Sequence, residues 1–267
     1  MSALAMAYLT LGDLDPFEMV EAAARGGFEA TALRLTGHSP GDDWGFDPTN
    51  AADIRRMARL SRDAGISLVN ISTYRFVPGA APADFRPVID ACAELGIGMI
   101  TANSFAGEEA EVTALMAEIA RDAASRNIRL GIEFIPVSRI RTAADALRIA
   151  RATDAGNVGL VVDALHLWRS GGTVETVRGL PGDRIFALQL CDAPLAAPDD
   201  LAAEMRSARL LPGDGEFDLR GLVDAVPADT EIEIEVPNAD YDRLTPAARA
   251  RLVHDAGEAF LARAHAD

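Results

Sequence analysis

Two hydrophobic rhythms alternate along the chain. Stretches with apolar residues three or four positions apart, the spacing of one helix face, give way repeatedly to short continuous apolar runs rich in branched residues. The junctions are Arg25-Gly26-Gly27-Phe28, Asp63-Ala64-Gly65-Ile66, Leu95-Gly96-Ile97 and Arg126-Asn127-Ile128. Gly or Asn just past a helix accepts the left-handed conformation, so each junction predicts a helix end followed by a strand. Helix starts are marked as clearly. Asp15-Pro16-Phe17-Glu18 offers a capping side chain, a proline at the first helical position and an acid in the first turn, and Thr142-Ala143-Ala144-Asp145 and Thr245-Pro246 carry related signals.

The apolar runs predict strands near Leu4 to Leu9, Ala30 to Leu35, Ile66 to Ile71, Gly98 to Ala102, Ile128 to Phe134, Val158 to Val162, Ile185 to Leu190 and Glu231 to Val236. Continuous rather than alternating apolarity is what a parallel sheet covered by helices requires. Eight such units predict an α/β fold, a (β/α)₈ barrel of one domain spanning residues 1–267, a length close to the ~250 residues such barrels use. The competing arrangement, an open doubly wound sheet, lacks its GxGxxG turn after the first strand. One long stretch, Ala193 to Phe217, is broken by Pro194, Pro198 and Pro212 and predicts an active-site loop after strand seven.

With 49% hydrophobic and 25% charged residues the chain is composed as a packed globular protein, not a disordered one. Its net charge of -16 repels a phosphate backbone and no basic stripe offsets it, so nucleic acid is not an expected partner. No apolar run approaches the ~20 residues of a membrane span. Met1-Ser2-Ala3-Leu4 lacks the basic start of a secretory leader, so a cytoplasmic location is expected. Cys92 and Cys191 have no partnering Cys or His motif and are read as inert core thiols. All 25 Lys-or-Arg residues are arginine, which removes lysine Schiff bases, a pyridoxal-phosphate anchor and the P-loop lysine.

Barrel enzymes place their chemistry at the C-terminal ends of the strands. Strand five ends Gly131-Ile132-Glu133-Phe134, strand six Val161-Val162-Asp163, strand seven Leu188-Gln189-Leu190-Cys191-Asp192, and strand eight Ile234-Glu235-Val236. Carboxylates among such neighbours are costly unless paired, protonated or bound to a metal. Glu133, Asp163, Gln189 and Glu235 therefore form a candidate site for one divalent cation. Three carboxylates and an amide carbonyl, with no obligatory imidazole, favour Mn²⁺ or Mg²⁺ over Zn²⁺. Glu133 and Glu235, on opposite sides, are the candidate acid/base pair for proton abstraction beside a carbonyl, with the cation stabilising an enediolate. Arg34, Arg75, Arg139, Arg141 and Arg169 follow strand ends, and Arg206 and Arg209 lie in the seventh loop. Guanidinium groups there point to a small anionic substrate such as a hydroxy-keto acid or sugar phosphate.

Glu133, Asp163-Ala164-Leu165-His166, Gln189-Leu190-Cys191-Asp192, Leu211-Pro212-Gly213-Asp214-Gly215-Glu216-Phe217-Asp218 and Glu235 together resemble the xylose-isomerase-like TIM barrels. That resemblance spans the whole chain. It implies a sugar or sugar-phosphate isomerase or epimerase of carbohydrate metabolism, with Glu133, Asp163, the strand-seven residue and Glu235 as metal ligands. It also implies that His166 touches substrate oxygens, and that a homo-oligomer is allowed, although no stripe identifies an interface. Arg34, Arg75, Asn103, Asp192 and Arg209 complete the candidate substrate-binding set. Gln189 stands where ketose epimerases generally carry histidine, in the manner of hydroxypyruvate-isomerase-like and some dehydroshikimate-dehydratase-like members. Ala32 replaces a glutamate common at the end of strand two.

Two other readings accompany the isomerase. A dehydratase-type lyase would expel a β-hydroxyl from the same intermediate, but it needs another acid, and Ile135 occupies the place where a histidine is expected. A barrel that binds without turnover has no need of the opposed acids. The abasic-site endonuclease of this fold needs many histidines, whereas His254 and His265 here belong to the C-terminal helix.

Overall fold

The computed structural model describes residues 3–12, 14–37, 44–77 and 79–264; His265 and the first two residues lie outside them. Among the described residues, eight strands close into a barrel in sequence order, every neighbouring pair parallel. They are β1 (Ala5–Met6), β2 (Ala30–Leu33), β3 (Ser67–Arg75), β4 (Met99–Asn103), β5 (Arg129–Glu133), β6 (Val158–Asp163), β7 (Ile185–Leu190) and β8 (Glu231–Ile234). The outer layer comprises α1 (Pro16–Gly26), α2 (Ala51–Ala64), α3 (Pro82–Leu95), α4 (Glu109–Ala124), α5 (Ala143–Ala152), α6 (Ala164–Arg169), α7 (Val174–Arg178), α8 (Leu201–Ser207), α9 (Leu219–Ala225) and α10 (Pro246–Ala264).

Local signals form the expected boundaries. Asp15 Oδ1 accepts from the amides of Phe17 and Glu18, satisfying donors that the start of α1 leaves open. Thr142 and Asp145 cap α5 reciprocally. Gly27 closes α1 at φ 102°, and Asn127 performs the same reversal before β5 at φ 59°.

Three elements depart from expectation. β1 keeps only two residues, because Tyr8–Thr10 winds into a 3₁₀ turn that brings Tyr8 and Leu9 to the barrel mouth. β3 runs on to Arg75, with a register shift between Ile71 and Tyr74. The stretch 193–217 is not structureless: it contains α8, and the isolated bridges Asp192 to Leu210 and Ala208 to Asn238 tie it to the barrel end.

Inside the barrel, Met99, Val161, Phe186 and Ala187 form a small apolar floor separate from the main core between strands and helices. The fit is tight. A Cβ at Gly131 would lie 2.7 Å from Val161 Cγ2. Polar residues occupy the next steps up the same strands: Thr101 and Asn103 above Met99, Asp163 above Val161, Gln189 above Ala187. The strand period of two thus turns an apolar floor into a polar mouth.

Candidate metal and active site

Glu133, the last residue of β5, and Asp163, the last of β6, are buried at 5% and 0% exposure. Asp163 also starts α6, its Oδ1 accepting from the His166 amide at 2.9 Å. That cap places His166 one helical turn above Asp163, with Nε2 3.8 Å from Glu133 Oε1. Ligating atoms of Glu133, Asp163 and His166 lie within 4.8 Å of one another, a separation that one cation can bridge. Gln189 pairs with Asp163 in the β6–β7 ladder, and Glu235 follows immediately on β8. Glu133 and Asp163 therefore meet, with the His166 imidazole in reach of both; Gln189 stands beside Asp163 on the neighbouring strand, and Glu235 borders the same cavity as Glu133.

Arg209 is the residue whose position the sequence left least visible. Its Nη1 donates to Asp163 Oδ2 at 2.5 Å and lies 3.1 Å from Glu235 Oε2, while Nε donates to the Met205 carbonyl at 3.0 Å. This guanidinium is 1% exposed and spans two of the acids, so it serves as their internal counter-cation before any role toward substrate.

The charges are shared unevenly. Burial, reinforced by the Asp163 charge, raises the Glu133 carboxyl to about 8. Burial would also raise Asp163, but Arg209 outweighs it and holds this carboxyl down to about 2. Glu235 is displaced well upward, first by burial and then by the neighbouring acids. Burial lowers His166 to about 4, leaving a neutral imidazole near neutrality. Without a cation, the pocket thus keeps Asp163 as a firm carboxylate and favours the protonated form of Glu133, with Glu235 displaced in the same direction. Gln189 Oε1 and Asn103 Oδ1 are buried without a hydrogen-bond partner among the described residues. Unmatched acceptors beside carboxylates fit a cation.

Above these groups opens a cavity of about 530 Å³ whose lining includes Arg34, Arg75, Asn103, Glu133, His166, Arg209 and Glu235. Asn103 Nδ2 approaches Glu133 Oε2 at 3.5 Å. Arg34 lies over the rings of Tyr8 and Trp44, and Arg75 over Phe105. Arg206, from α8, joins them at the wall, and burial together with Arg206 and Arg34 lowers the Arg75 guanidinium. The mouth of an acidic protein is therefore cationic.

Other expected residues are placed elsewhere. Asp192 does not line the cavity: its carboxylate accepts from the amides of Ala193, Phe217 and Gly213 and folds the Pro212-Gly213-Asp214-Gly215 turn. Arg169 is bound bidentately to Glu204, at 2.7 Å to each oxygen, and donates to the Pro194 and Leu195 carbonyls, which fastens α8 over the mouth. Arg139 and Arg141 also stand off the cavity lining. Cys92 and Cys191 are buried, with thiols pushed upward by burial, Cys191 to about 12.

Glu233 and Asn70 were not anticipated. Both are 0% exposed inside the barrel, Asn70 Nδ2 donating to Glu233 Oε1 at 2.9 Å. The alternation Glu231-Ile232-Glu233-Ile234-Glu235 contains the signal, because residues two apart share one face of a strand.

Comparison with known proteins agrees with this architecture. A 3-dehydroshikimate dehydratase of Pseudomonas aeruginosa is 30% identical over 187 residues, 65% of this chain but 29% of that protein, so the chain spans under a third of its length. An inosose isomerase of Bacillus velezensis is 23% identical over 194 residues, 68% of each chain. The solved structure of the IOLI protein with a bound zinc atom superposes with a TM-score of 0.80 at 16% identity, covering 99% of this chain and 100% of that one. The model of the xylose isomerase-like TIM barrel family matches residues 20–256, and with that match over most of its length the chain belongs to this family.

Proposed function

We propose that this protein is a metal-dependent enzyme that moves the proton beside a carbonyl in a small, anionic hydroxy-carbonyl compound, acting as an isomerase or epimerase. One observation carries the reading: Glu133 and Glu235 both border the same cavity, and burial with neighbouring acids displaces both carboxyls upward, Glu133 to about 8. Glu133, Asp163, Gln189 and Glu235 would hold one divalent cation, Mn²⁺ or Mg²⁺, with His166 close enough to touch either the ion or the substrate. The unpartnered Gln189 Oε1 supports that assignment.

A bound cation supplies positive charge for the oxygens of a deprotonated hydroxy-carbonyl. Within the chain itself, one glutamate removes the proton from one face and the other returns it from across the cavity. Asn103, beside Glu133, orients that carboxyl, and the neutral His166 offers a hydrogen bond to a substrate oxygen. Arg34, Arg75 and Arg206 would seat the anionic end, a carboxylate or phosphate. Asp192 is assigned no contact with substrate, because its oxygens serve the loop.

The 30% identity to a dehydratase favours a second reading, a lyase in which the same proton abstraction is followed by loss of a β-hydroxyl. Ile135 lines the cavity just past Glu133, and no histidine stands there to protonate the leaving group, which favours the isomerase. Incubation in D₂O with Mn²⁺ and a panel of keto acids, ketoses and 3-dehydroshikimate separates the two by NMR. Solvent deuterium at the α-carbon without elimination supports the isomerase, a conjugated product supports the lyase, and neither change with any compound refutes both.

A further inference from the structure

We propose that Glu233 is a positioning residue that locks the Gln189 amide with its carbonyl oxygen available to the cation. The inference rests on the reading of Glu133, Asp163, Gln189 and Glu235 as a cation site. Gln189 Nε2 donates to Glu233 Oε2 at 2.8 Å, with both residues at 0–1% exposure. An amide can point either end at a neighbour, but both Glu233 oxygens act here as acceptors, one from Gln189 and one from Asn70, so Gln189 turns its NH₂ end to Glu233. Oε1 is consequently turned away from Glu233, and it is the amide atom that has no hydrogen-bond partner. The ladder neighbour of Gln189 on the side away from Glu233 is Asp163.

Glu233 is itself held. Its other oxygen accepts from Asn70 Nδ2 at 2.9 Å, and Thr101 Oγ1 donates to Asn70 Oδ1 at 3.0 Å, which fixes the orientation of the Asn70 amide as well. Three strands therefore brace one side chain on a fourth. A flipped glutamine presents NH₂ hydrogens to the ion and cannot ligate, so the orientation of this amide decides whether Gln189 is a ligand at all.

The alternative role for Glu233, a negative charge below the site that attracts any cation, predicts a different coupling pattern. Calorimetric titration of Mn²⁺ into the metal-free full chain tests both, using wild type, Glu233→Leu, Gln189→Ala, the double variant and Glu233→Gln. Positioning predicts that Glu233→Leu weakens binding by about 10–100-fold, the range seen when partners of metal ligands are removed. It further predicts less than about a twofold added loss in the Gln189→Ala background, because the residue acted through is gone. Glu233→Gln should recover most of the affinity: its carbonyl still accepts from Gln189, and the Thr101 hydroxyl can accept as well as donate if Asn70 turns over.

Equal losses in both backgrounds would assign Glu233 a charge effect and overturn the proposal, as would wild-type affinity in Glu233→Leu. Wild type that takes up no Mn²⁺ would remove the cation site and this inference together, a result distinct from either. Thermal melting of each metal-free variant checks folding, and Glu233→Ala replaces Glu233→Leu in the cycle if the latter does not fold.

Discussion

Arg209 donates to Asp163 at 2.5 Å with both side chains sealed from solvent, so a protein cation is built into the place where acids gather for a metal. Removing one partner of such a pair leaves an uncompensated buried charge, at a cost of about 3–5 kcal/mol. Arg209→Met should therefore lower the stability of the metal-free protein by about that amount. Saturating Mn²⁺, which binds the folded state only, should recover a larger share of stability in the variant than it adds to wild type. Thermal melts with and without Mn²⁺ provide the check; an unchanged metal-free melting temperature contradicts the counter-cation role.

The raised Glu133 carboxyl makes metal-free stability fall as pH rises. Its folded value of about 8 exceeds the ordinary 4.5, so between these the folded state holds the extra proton, and stability declines as pH climbs through the interval. His166 acts oppositely between about 4 and its ordinary 6.5, where the unfolded state holds the extra proton and stability rises with pH. The two offset each other up to about 6.5, and above it Glu133 is unopposed. Glu231, raised to about 9 chiefly by burial, adds to the decline. Urea melts in chelator should show stability falling from pH 6.5 to 7.5, with Glu133→Gln reducing the slope by about 1.4 kcal/mol per pH unit. A slope unaltered by the substitution contradicts the assignment.

Arg169 and Glu204, with side chains 2% and 7% exposed, hold α8 against the loop that precedes it. Arg169→Ala should release this segment and leave Glu204 unpaired. Trypsin should then cut after Arg206 well before the rest of the chain is digested. Cleavage no faster than in wild type would show that α8 is held by its apolar contacts alone.

Arg34 and Arg75 face the cavity from the ends of β2 and β3. Once a substrate is found, Arg34→Ala and Arg75→Ala should each raise KM by about ten- to a hundredfold, the worth of a hydrogen bond between charged groups. The effect should shrink as salt is added, because the mouth is open to solvent. A salt-independent KM unchanged in both variants argues for a neutral substrate.

How much of this was legible in the sequence depends on whether a feature is set locally. The strand and helix order, the caps at Asp15 and Thr142 and the stop at Asn127 follow from neighbouring residues, and the eight-fold alternation then leaves one closed architecture. The approach of Glu133 to Asp163 was legible too, because neighbouring strand ends of a barrel share one mouth. What escaped depends on side-chain reach across many residues. Asp192 and Arg209 both carry the charge expected of binding groups, yet one turns back to its own loop and the other folds in beneath the mouth, 46 residues from Asp163. Spacing cannot show which way such a loop directs its charges. Glu233 was visible by alternation, but its value lies in contacts to Asn70, 163 residues away.

The cation site itself is best tested by anomalous diffraction from crystals of the full chain grown with Mn²⁺. One peak is predicted within about 2.0–2.3 Å of oxygens from Glu133, Asp163, Gln189 and Glu235. An empty site at saturating Mn²⁺, with Arg209 still spanning Asp163 and Glu235, would contradict the account.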